Sequence, residues 1–342
     1  MSSFYSRITV HKLNINLLGW NHKDQIGPVI ESVLKQTFTD FELFYMDNAS
    51  QDGSVDFVRE HFPQVTIIAN DRNLGYAGGH NKFFQMATSE LVMVLNPDVQ
   101  LTPEFLSCVV AAFDDPVVGA AGGKTLKSPG SPAIIDGTGI MIDKYRRGRD
   151  RGQGEEDRGQ YDRVTHVFGC TGAAAIFRRR ALEEAKLLVA SNRYEYFDED
   201  FFAYWEDMDL SWRLRLQGWE CRFVPEALAY HPRKAASNPG GYKHFVSFVR
   251  HHRALPLRIR RWNWRNHLFC IIKNDFGTPL LRGLPFIALR ELAILGYILI
   301  FETSTLGVVP EFFRLLPKML EKRRYILSHK KITSEGAAKW FV

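Results

Sequence analysis

Leu13-Asn14-Ile15-Asn16-Leu17-Leu18 and Phe41-Glu42-Leu43-Phe44-Tyr45-Met46 are two short apolar runs, and between them Ile26, Val29, Ile30, Val33 and Leu34 recur at helical spacing behind Asp24. Apolar runs of about six residues, bounded by polar residues, read as buried strands. The repeat between them reads as an amphipathic helix with Asp24 as its N-cap. Strand, helix and strand in succession require a right-handed crossover and parallel pairing. Working outward, Val65–Ala69 and Leu91–Leu95 read as two further strands, and Val55, Phe57 and Val58 as a short helix ended by Phe62-Pro63. The expectation is an α/β fold with a mostly parallel sheet flanked by helices. Ligands of such sheets bind beyond the carboxyl ends of the strands. Asp47, Asn70 and Asn96 each fall where a strand ends.

The composition narrows the classes. A chain of 342 residues that is 45% hydrophobic and 24% charged can bury a sizeable core and is not a disordered chain. Cys108, Cys170, Cys221 and Cys270 are widely spaced with no Cys-x-x-Cys pair, which argues against a disulfide scaffold or structural zinc and for a reducing compartment. Met1 to Arg7 shows no basic patch leading into an apolar run, so no secretory signal is expected. Charge is divided unevenly. Residues 1–249 carry 27 Lys+Arg against 32 Asp+Glu, and residues 250–342 carry 17 against 6. In the basic part, Arg258–Arg265 interleaves Arg with Trp262 and Trp264, and Leu280–Phe301 is apolar except for Arg282, Arg290 and Glu291. Its longest uncharged stretch, Leu292–Phe301, falls short of the roughly 20 apolar residues of a spanning helix. Helices lying in a membrane interface fit this pattern, as does a helical subdomain packed on the sheet. No nucleic-acid reading motif accompanies the charge.

Residues 143–163 are nearly all Arg, Asp, Glu, Gly and Gln and read as a surface loop, either a lid or a solvated insertion. Strands are expected at Val164–Phe168 and Ala173–Phe177, then a helix from Arg178-Arg179-Arg180 through Leu188. Four motifs carry chemistry. Asp47-Asn48-Ala49-Ser50-Gln51-Asp52-Gly53-Ser54 joins a strand to a helix, where a carboxylate can accept from a ribose or base. Asn73-Leu74-Gly75-Tyr76-Ala77-Gly78-Gly79-His80-Asn81 lets backbone approach closely but is not a dinucleotide fingerprint. Asn96-Pro97-Asp98-Val99 places a carboxylate where a hard divalent cation could sit. Phe197-Asp198-Glu199-Asp200-Phe201-Phe202-Ala203-Tyr204-Trp205-Glu206-Asp207-Met208-Asp209-Leu210 sets acids among aromatics, and apolar surroundings make a carboxylate a better base. Trp205, Met208 and Trp212 read as core, and His231 alone as a structural histidine.

In this order, Asp47–Ser54, Asn73–Asn81, Asn96–Val99, Gly172–Arg179, Phe197–Leu210 and His231 resemble the inverting family-2 glycosyltransferases, especially the bacterial rhamnosyltransferase-like branch. The resemblance covers about residues 13–235, and Arg265-Asn266 with Lys273-Asn274 is similar to the helical tail of that branch. It implies a GT-A catalytic domain over residues 1–242, with donor-binding and acceptor-binding parts dividing near residue 125, then a basic amphipathic helical extension over 243–342. It implies donor contacts from Asp47, Asn48, Asp52, Asn73, Gly75, Asn81 and Asn96, and a divalent metal, Mg or Mn, on Asp98 and His231. Asp207 corresponds to the catalytic base, with Glu206 beside it. Asn96 stands where many relatives carry Asp, and an amide ligates a metal more weakly than a carboxylate. The donor is expected to be a dTDP- or UDP-sugar, with L-rhamnose the expected sugar, and the acceptor a glycan or lipid-linked precursor. The enzyme would be cytoplasmic, peripheral at the inner face of the membrane, with no nucleic-acid partner. A nucleotidyltransferase would show a Gly-rich, Lys-bearing turn early in the chain, which Gly19-Trp20-Asn21-His22 is not. A non-catalytic, membrane-attached nucleotide-sugar-binding module stays open at this level.

Overall fold

The computed structural model describes residues 11–190, 192–233 and 245–341. The Met1–Arg7 expectation and the domain boundary at 242/243 lie outside the described residues. The first half alternates as expected: β1 (Leu13–Gly19), α1 (Lys23–Leu34), β2 (Phe41–Asp47), α2 (Ser54–His61), β3 (Thr66–Ala69), α3 (Gly75–Met86) and β4 (Leu91–Leu95). Then follow β5 (Gln100–Leu101), α4 (Phe105–Ala111), β6 (Val118–Leu126), β7 (Ile135–Gly137), β8 (Ile140–Ile142), β9 (Gly148–Asp150), β10 (His166–Val167) and β11 (Ala174–Arg178). The second half continues with α5 (Arg179–Ala185), β12 (Leu187–Ala190), β13 (Arg193–Glu195), α6 (Glu206–Leu216) and β14 (Glu220–Tyr230). The chain closes on α7 (Phe245–Ala254), α8 (Leu257–Asn274), α9 (Gly277–Phe301), α10 (Val309–His329) and α11 (Ser334–Ala338).

One large sheet runs β10-β14-β6-β11-β4-β1-β2-β3, with β5 on β14 and β7 on β6. β3, β2, β1 and β4 are parallel, in the order that right-handed crossovers produce, and β6 pairs parallel with β14. β11 joins these halves by running antiparallel to both β4 and β6. Leu13, Ile15 and Leu17 alternate onto the α1 and α4 side, where Ile26, Val29, Ile30 and Phe105 meet them. Leu18, Val92 and Val94 face the opposite side, against Phe83 and Phe84 of α3 and Leu210 of α6. Both faces are therefore buried, and the carboxyl ends of β1, β2 and β4 share one edge.

The structure corrects four local expectations. Asp24 does not cap α1: no side chain caps that helix, and the amide of Lys23 instead donates to Asp52 Oδ2 at 2.9 Å. The helix after β11 stops at Ala185, because Leu187–Ala190 pairs with Arg193–Glu195 as a hairpin. Residues 143–152 are not a solvated loop, whereas 153–163 stay mostly exposed, as expected. Gly148–Asp150 pairs with Ile140–Ile142, and Arg146 and Arg151 are buried, Arg146 ion-paired with Asp275 at 2.7 Å. Polar residues here are internal connectors, which composition alone cannot distinguish from solvated ones.

The fourth correction concerns the basic tail. α8 and α10 pack on α6, where Phe269, Cys270 and Met319 share a core with Phe201, Met208 and Trp212. Arg265, Lys273 and Lys322 are buried, so part of the tail's positive charge faces inward. α9 is one continuous 25-residue helix, long and apolar enough to cross a membrane, with only 11% of its most apolar window buried. Two of the three charges that interrupt it in sequence, Arg290 and Glu291, pair with each other.

Candidate active site

The loops beyond β2 and β3 are built by their own polar side chains. Asp47 is buried at the end of β2, accepting from Tyr45 Oη at 2.9 Å and from the Ser50 amide at 2.8 Å. Asn48 donates to the Gly75 carbonyl at 2.9 Å and accepts from Asn70 at 3.0 Å, tying this loop to the start of α3. Asp52 accepts from the amides of Lys23 and Ser54 and thereby anchors α1 and α2 together. Asn73 turns the chain into α3 by accepting from the Gly75 amide at 2.8 Å, and it lines a cavity of about 360 Å³ with Arg72, Lys82 and Phe202. Asn81 differs from the expectation of a donor contact. It is fully buried, and its amide is saturated by the carbonyl of Phe197, Glu199 and the amides of Tyr196 and Phe197. It fastens α3 to the acidic motif rather than facing a ligand.

Gly75 sits at φ +73°, and a Cβ there would come within 2.6 Å of the Phe202 carbonyl oxygen. Both the left-handed conformation and the backbone approach exclude a side chain. Gly75→Ala is expected to destabilise the fold by about 1–3 kcal/mol, read as a lowered thermal midpoint.

At the end of β4, Asn96 is held through its amide to the Ala173 carbonyl at 2.9 Å, and Asp98 follows, half-buried. Asp98 Oδ1 lies 3.4 Å from His231 Nε2, just past β14, and His231 Nδ1 lies 2.8 Å from Asp136 on β7. Burial alone would pull the imidazole down, but the Asp136 and Asp98 carboxylates outweigh it and push its pKa up to about 9. The line of charge continues: Arg233 Nε pairs with Asp136 at 2.8 Å and its terminal nitrogen with Asp150 on β9 at 2.6 Å. Asp150 in turn borders a cavity of about 250 Å³ with Asp207, Arg149, Trp205 and Asn263. Alternating charges thus connect the β4 edge to the acid-bearing helix.

The acidic motif divides by partner. Asp198 is buried between Lys273 and Lys322, Asp209 pairs with Arg213 at 3.0 Å and Lys273 at 2.9 Å, and Asp200 pairs with Lys318 at 2.6 Å and Lys322 at 2.7 Å. Glu199 meets Arg193 at 3.0 Å. Among the described residues, no basic side chain forms an ion pair with Glu206 or Asp207. Burial raises both carboxyls above their ordinary range, reinforced at Glu206 by Asp207 and at Asp207 by Asp150. Asp207 is oriented by the amides of Gly172 at 3.1 Å and Met208 at 2.7 Å. Gly172 must lack a side chain, since a Cβ would meet Tyr76 Oη at 2.4 Å.

The approach to α6 is strained. Phe202, Tyr204 and Trp205 all have positive φ, between 63° and 75°, a cost that non-glycine residues carry mostly where geometry matters for function. Asn266 on α8 holds the turn, its amide nitrogen within 2.9–3.1 Å of the carbonyls of Phe201, Ala203 and Tyr204. Arg265 adds a bond to the Asp200 carbonyl at 2.8 Å. Sequence reasoning placed Asp98, His231, Glu206 and Asp207 in the site, and the structure brings Asp98 to His231 and Glu206 beside Asp207. It missed Asp136, Asp150 and Arg233, which no local pattern marks.

The model of Glycosyl transferase family 2 matches residues 20–186. The N-acetylglucosaminyl-diphospho-decaprenol L-rhamnosyltransferase of Mycobacterium tuberculosis (strain ATCC 25618 / H37Rv) is 26% identical over 257 residues, covering 67% of this chain and 78% of that protein. An N-acetylglucosaminyltransferase of Mesorhizobium japonicum is 24% identical, covering 60% of this chain and 47% of its own length. Among solved structures, the mannosyltransferase PcManGT from Pyrobaculum calidifontis, with GDP-Man and Mn²⁺, superposes with a TM-score of 0.52 at 15% identity, covering 93% of this chain and 86% of that one. S. aureus TarS 1-349 with UDP gives 0.52 at 16% identity, covering 93% and 90%.

Proposed function

The chain belongs to the family-2 glycosyltransferases, in their rhamnosyltransferase-like part and with a GT-A fold, and from that premise we propose that it transfers a sugar, L-rhamnose, from a nucleoside-diphosphate donor to a lipid-linked acceptor hydroxyl with inversion. The observation that carries this reading is Asp207. It is a carboxylate without a cationic partner among the described residues, raised by burial, oriented by two backbone amides and bordering a cavity. Such a group is suited to general-base work near neutral pH. Asp207 accepts the proton of the acceptor hydroxyl as its oxygen forms a bond to the anomeric carbon. The bond from that carbon to the diphosphate breaks on the opposite side, so configuration inverts and no enzyme nucleophile is needed. Glu206 lies beside Asp207, its carboxyl raised by burial and by that neighbour, with an Oε2 that has no hydrogen-bond partner among the described residues.

Donor binding falls to the edge beyond β2, β3 and β4, where Asp47, Asn48, Asp52, Asn73, Gly75 and Asn96 shape the loops. Asp98 and His231 fit a divalent cation such as Mg or Mn. They offer one carboxylate and, once the ring has lost the proton that Asp98 and Asp136 favour, one imidazole, which Asp136 fixes through its other nitrogen, as a carboxylate does behind many ligating histidines. Among the described residues no group of three or more His, Cys, Asp or Glu is placed to hold a metal, so substrate phosphates would complete the shell. Such an ion, when bound, supplies neutralisation of the charge developing on the leaving diphosphate. The structural relatives solved with Mn²⁺ support this choice. The test is a thermal-shift screen of nucleotide sugars with and without Mn²⁺. dTDP-rhamnose at 100 times its Kd should stabilise by about 2.7 kcal/mol with Mn²⁺ and far less without it. No shift from any nucleotide sugar in either condition would defeat the reading.

Location at the inner face of a membrane rests on α9. Leu292, Leu299 and Ile300 are 66%, 54% and 73% exposed, and apolar helix faces of this kind gain free energy in a bilayer interface. The triple variant Leu292→Glu, Leu299→Glu and Ile300→Glu is expected to lose at least tenfold in co-sedimentation with anionic vesicles, since each buried apolar side chain contributes about 1.5–3 kcal/mol. Unchanged sedimentation would remove α9 from that role.

A further inference from the structure

A second cavity, of about 550 Å³, lies beside the one that holds Asp207. The two share Trp205 and Asn263 in their walls. The larger one is enclosed by α8, α9 and the turn after α9, with Trp264, Leu289, Ala293, Ile294, Tyr297 and Ile298 supplying apolar wall. Its volume is in the range of roughly 300–1,000 Å³ typical of small-molecule sites.

The polar groups around this cavity are largely committed to one another. Glu302, buried, receives His252 at 2.7 Å, Tyr297 Oη at 2.7 Å and Arg260 at 3.4 Å. Glu291 takes His267 at 3.1 Å, Trp264 at 3.4 Å and Arg290. A polar guest would compete with these bonds, whereas an apolar one would not. Each cavity also carries a cationic side chain: Arg147 borders the larger and Arg149 the smaller, both sharing the single carboxylate of Asp143. Two guanidinium groups on one carboxylate leave net positive charge, which suits an anion. Leu289 lines the cavity and is itself 61% exposed on α9, so this chamber opens toward the same helix that presents apolar surface outward.

We propose that the 550 Å³ chamber is the subsite for the hydrocarbon chain of a lipid diphosphate acceptor, with the diphosphate at Arg147 and Arg149 and the sugar reaching Asp207. This deepens the transferase reading above and rests on it for the identity of the sugar end. The chamber would draw a lipid laterally from the membrane beside α9, and the shared wall of Trp205 and Asn263 would carry its head group to the base. Selection would then act on the first part of the chain, and the remainder would stay in the bilayer.

The experiment is isothermal titration of the whole chain with a C15 isoprenyl diphosphate, against inorganic diphosphate as the head group alone. The isoprenyl compound should bind at least tenfold more tightly. Ala293→Trp, on an exposed stretch of α9, should erase that advantage with the circular dichroism spectrum unchanged, and Ile294→Trp should do the same. Equal affinity of the two ligands, or an advantage that survives both substitutions, overturns the proposal. Turnover of nucleotide sugar is measured separately on the same samples. Lipid diphosphate binding that depends on Ala293 supports the chamber even where no donor is turned over, and that combination would count against the transferase reading alone.

Discussion

Asp207→Asn is expected to lower sugar transfer by roughly 10²–10⁴-fold while leaving donor affinity unchanged. The asparagine is nearly isosteric, and its carbonyl oxygen can still accept from one of the two amides, Gly172 or Met208, that orient the aspartate. What it cannot do is take a proton. The pH profile supplies a second readout with a definite sign. Burial, together with Asp150, raises the Asp207 carboxyl above its ordinary value, so the base is protonated at a higher pH than a solvated aspartate would be. In the wild type, kcat/KM should be flat at higher pH and fall as pH drops through a value above the usual carboxylate range. Asp207→Asn should lack that limb. Wild-type-like turnover in the variant, or an acidic limb that persists unchanged, would exclude Asp207 as the base.

The second large effect is on stability. Lys273 is fully buried between Asp198 and Asp209, and Lys322 reaches Asp198 and Asp200 from α10. Each lysine joins a C-terminal helix to the acidic motif. Removing one member of a buried ion cluster leaves charge without compensation, which costs about 3–5 kcal/mol. Lys273→Met is therefore expected to lower the denaturation midpoint strongly, because among the described residues Asp209 keeps only the side chains of Arg213 and Asn274, and Asp198 only Lys322 as its cation. The double change Lys273→Met with Asp198→Asn should recover part of that loss, because it removes one charge of each sign and leaves Arg213 on Asp209 and Lys322 on Asp200. Urea titration followed by far-UV circular dichroism reads both. A single variant as stable as the wild type would show that the cluster contributes nothing to holding α8.

Much of the catalytic half was legible because its signals are local. Leu13–Gly19 and Phe41–Asp47 announce themselves as short apolar runs bounded by polar residues, and the helix between them by its spacing. The acidic motif was legible for a related reason: acids interleaved with Phe201, Phe202, Tyr204 and Trp205 cannot form an ordinary solvated surface, although only the resemblance singled out Asp207 among them. Asp136 was illegible because its meaning lies in His231, 95 residues away, and Arg233 gains its role only by reaching both Asp136 and Asp150. The first part of the polar run 143–163 misled for the same reason. Arg146 is buried because Asp275, 129 residues later, receives it. Asn81 was read as ligand-binding from its motif, while the carbonyl and amides that saturate it come from Tyr196 and Phe197. Charge content also misled: the surplus of the tail looked like a surface, yet Lys273 and Lys322 spend theirs inside.

The bond pattern of Asn266 has a consequence in time. The ribosome produces Phe201, Ala203 and Tyr204 between 62 and 65 residues before the side chain that pins their carbonyls. Until α8 has emerged and docked, the strained turn keeps its own bonds and the one from the Ala77 amide to the Phe202 carbonyl, but lacks the side chain that pins its other carbonyls next to α6. The sheet and the donor edge can form early from neighbouring segments, but competence for transfer matures last. A nascent chain arrested before Asn266 would carry the sheet without the side chain that pins the Phe201, Ala203 and Tyr204 carbonyls, so the geometry around Asp207 depends on the chain reaching α8.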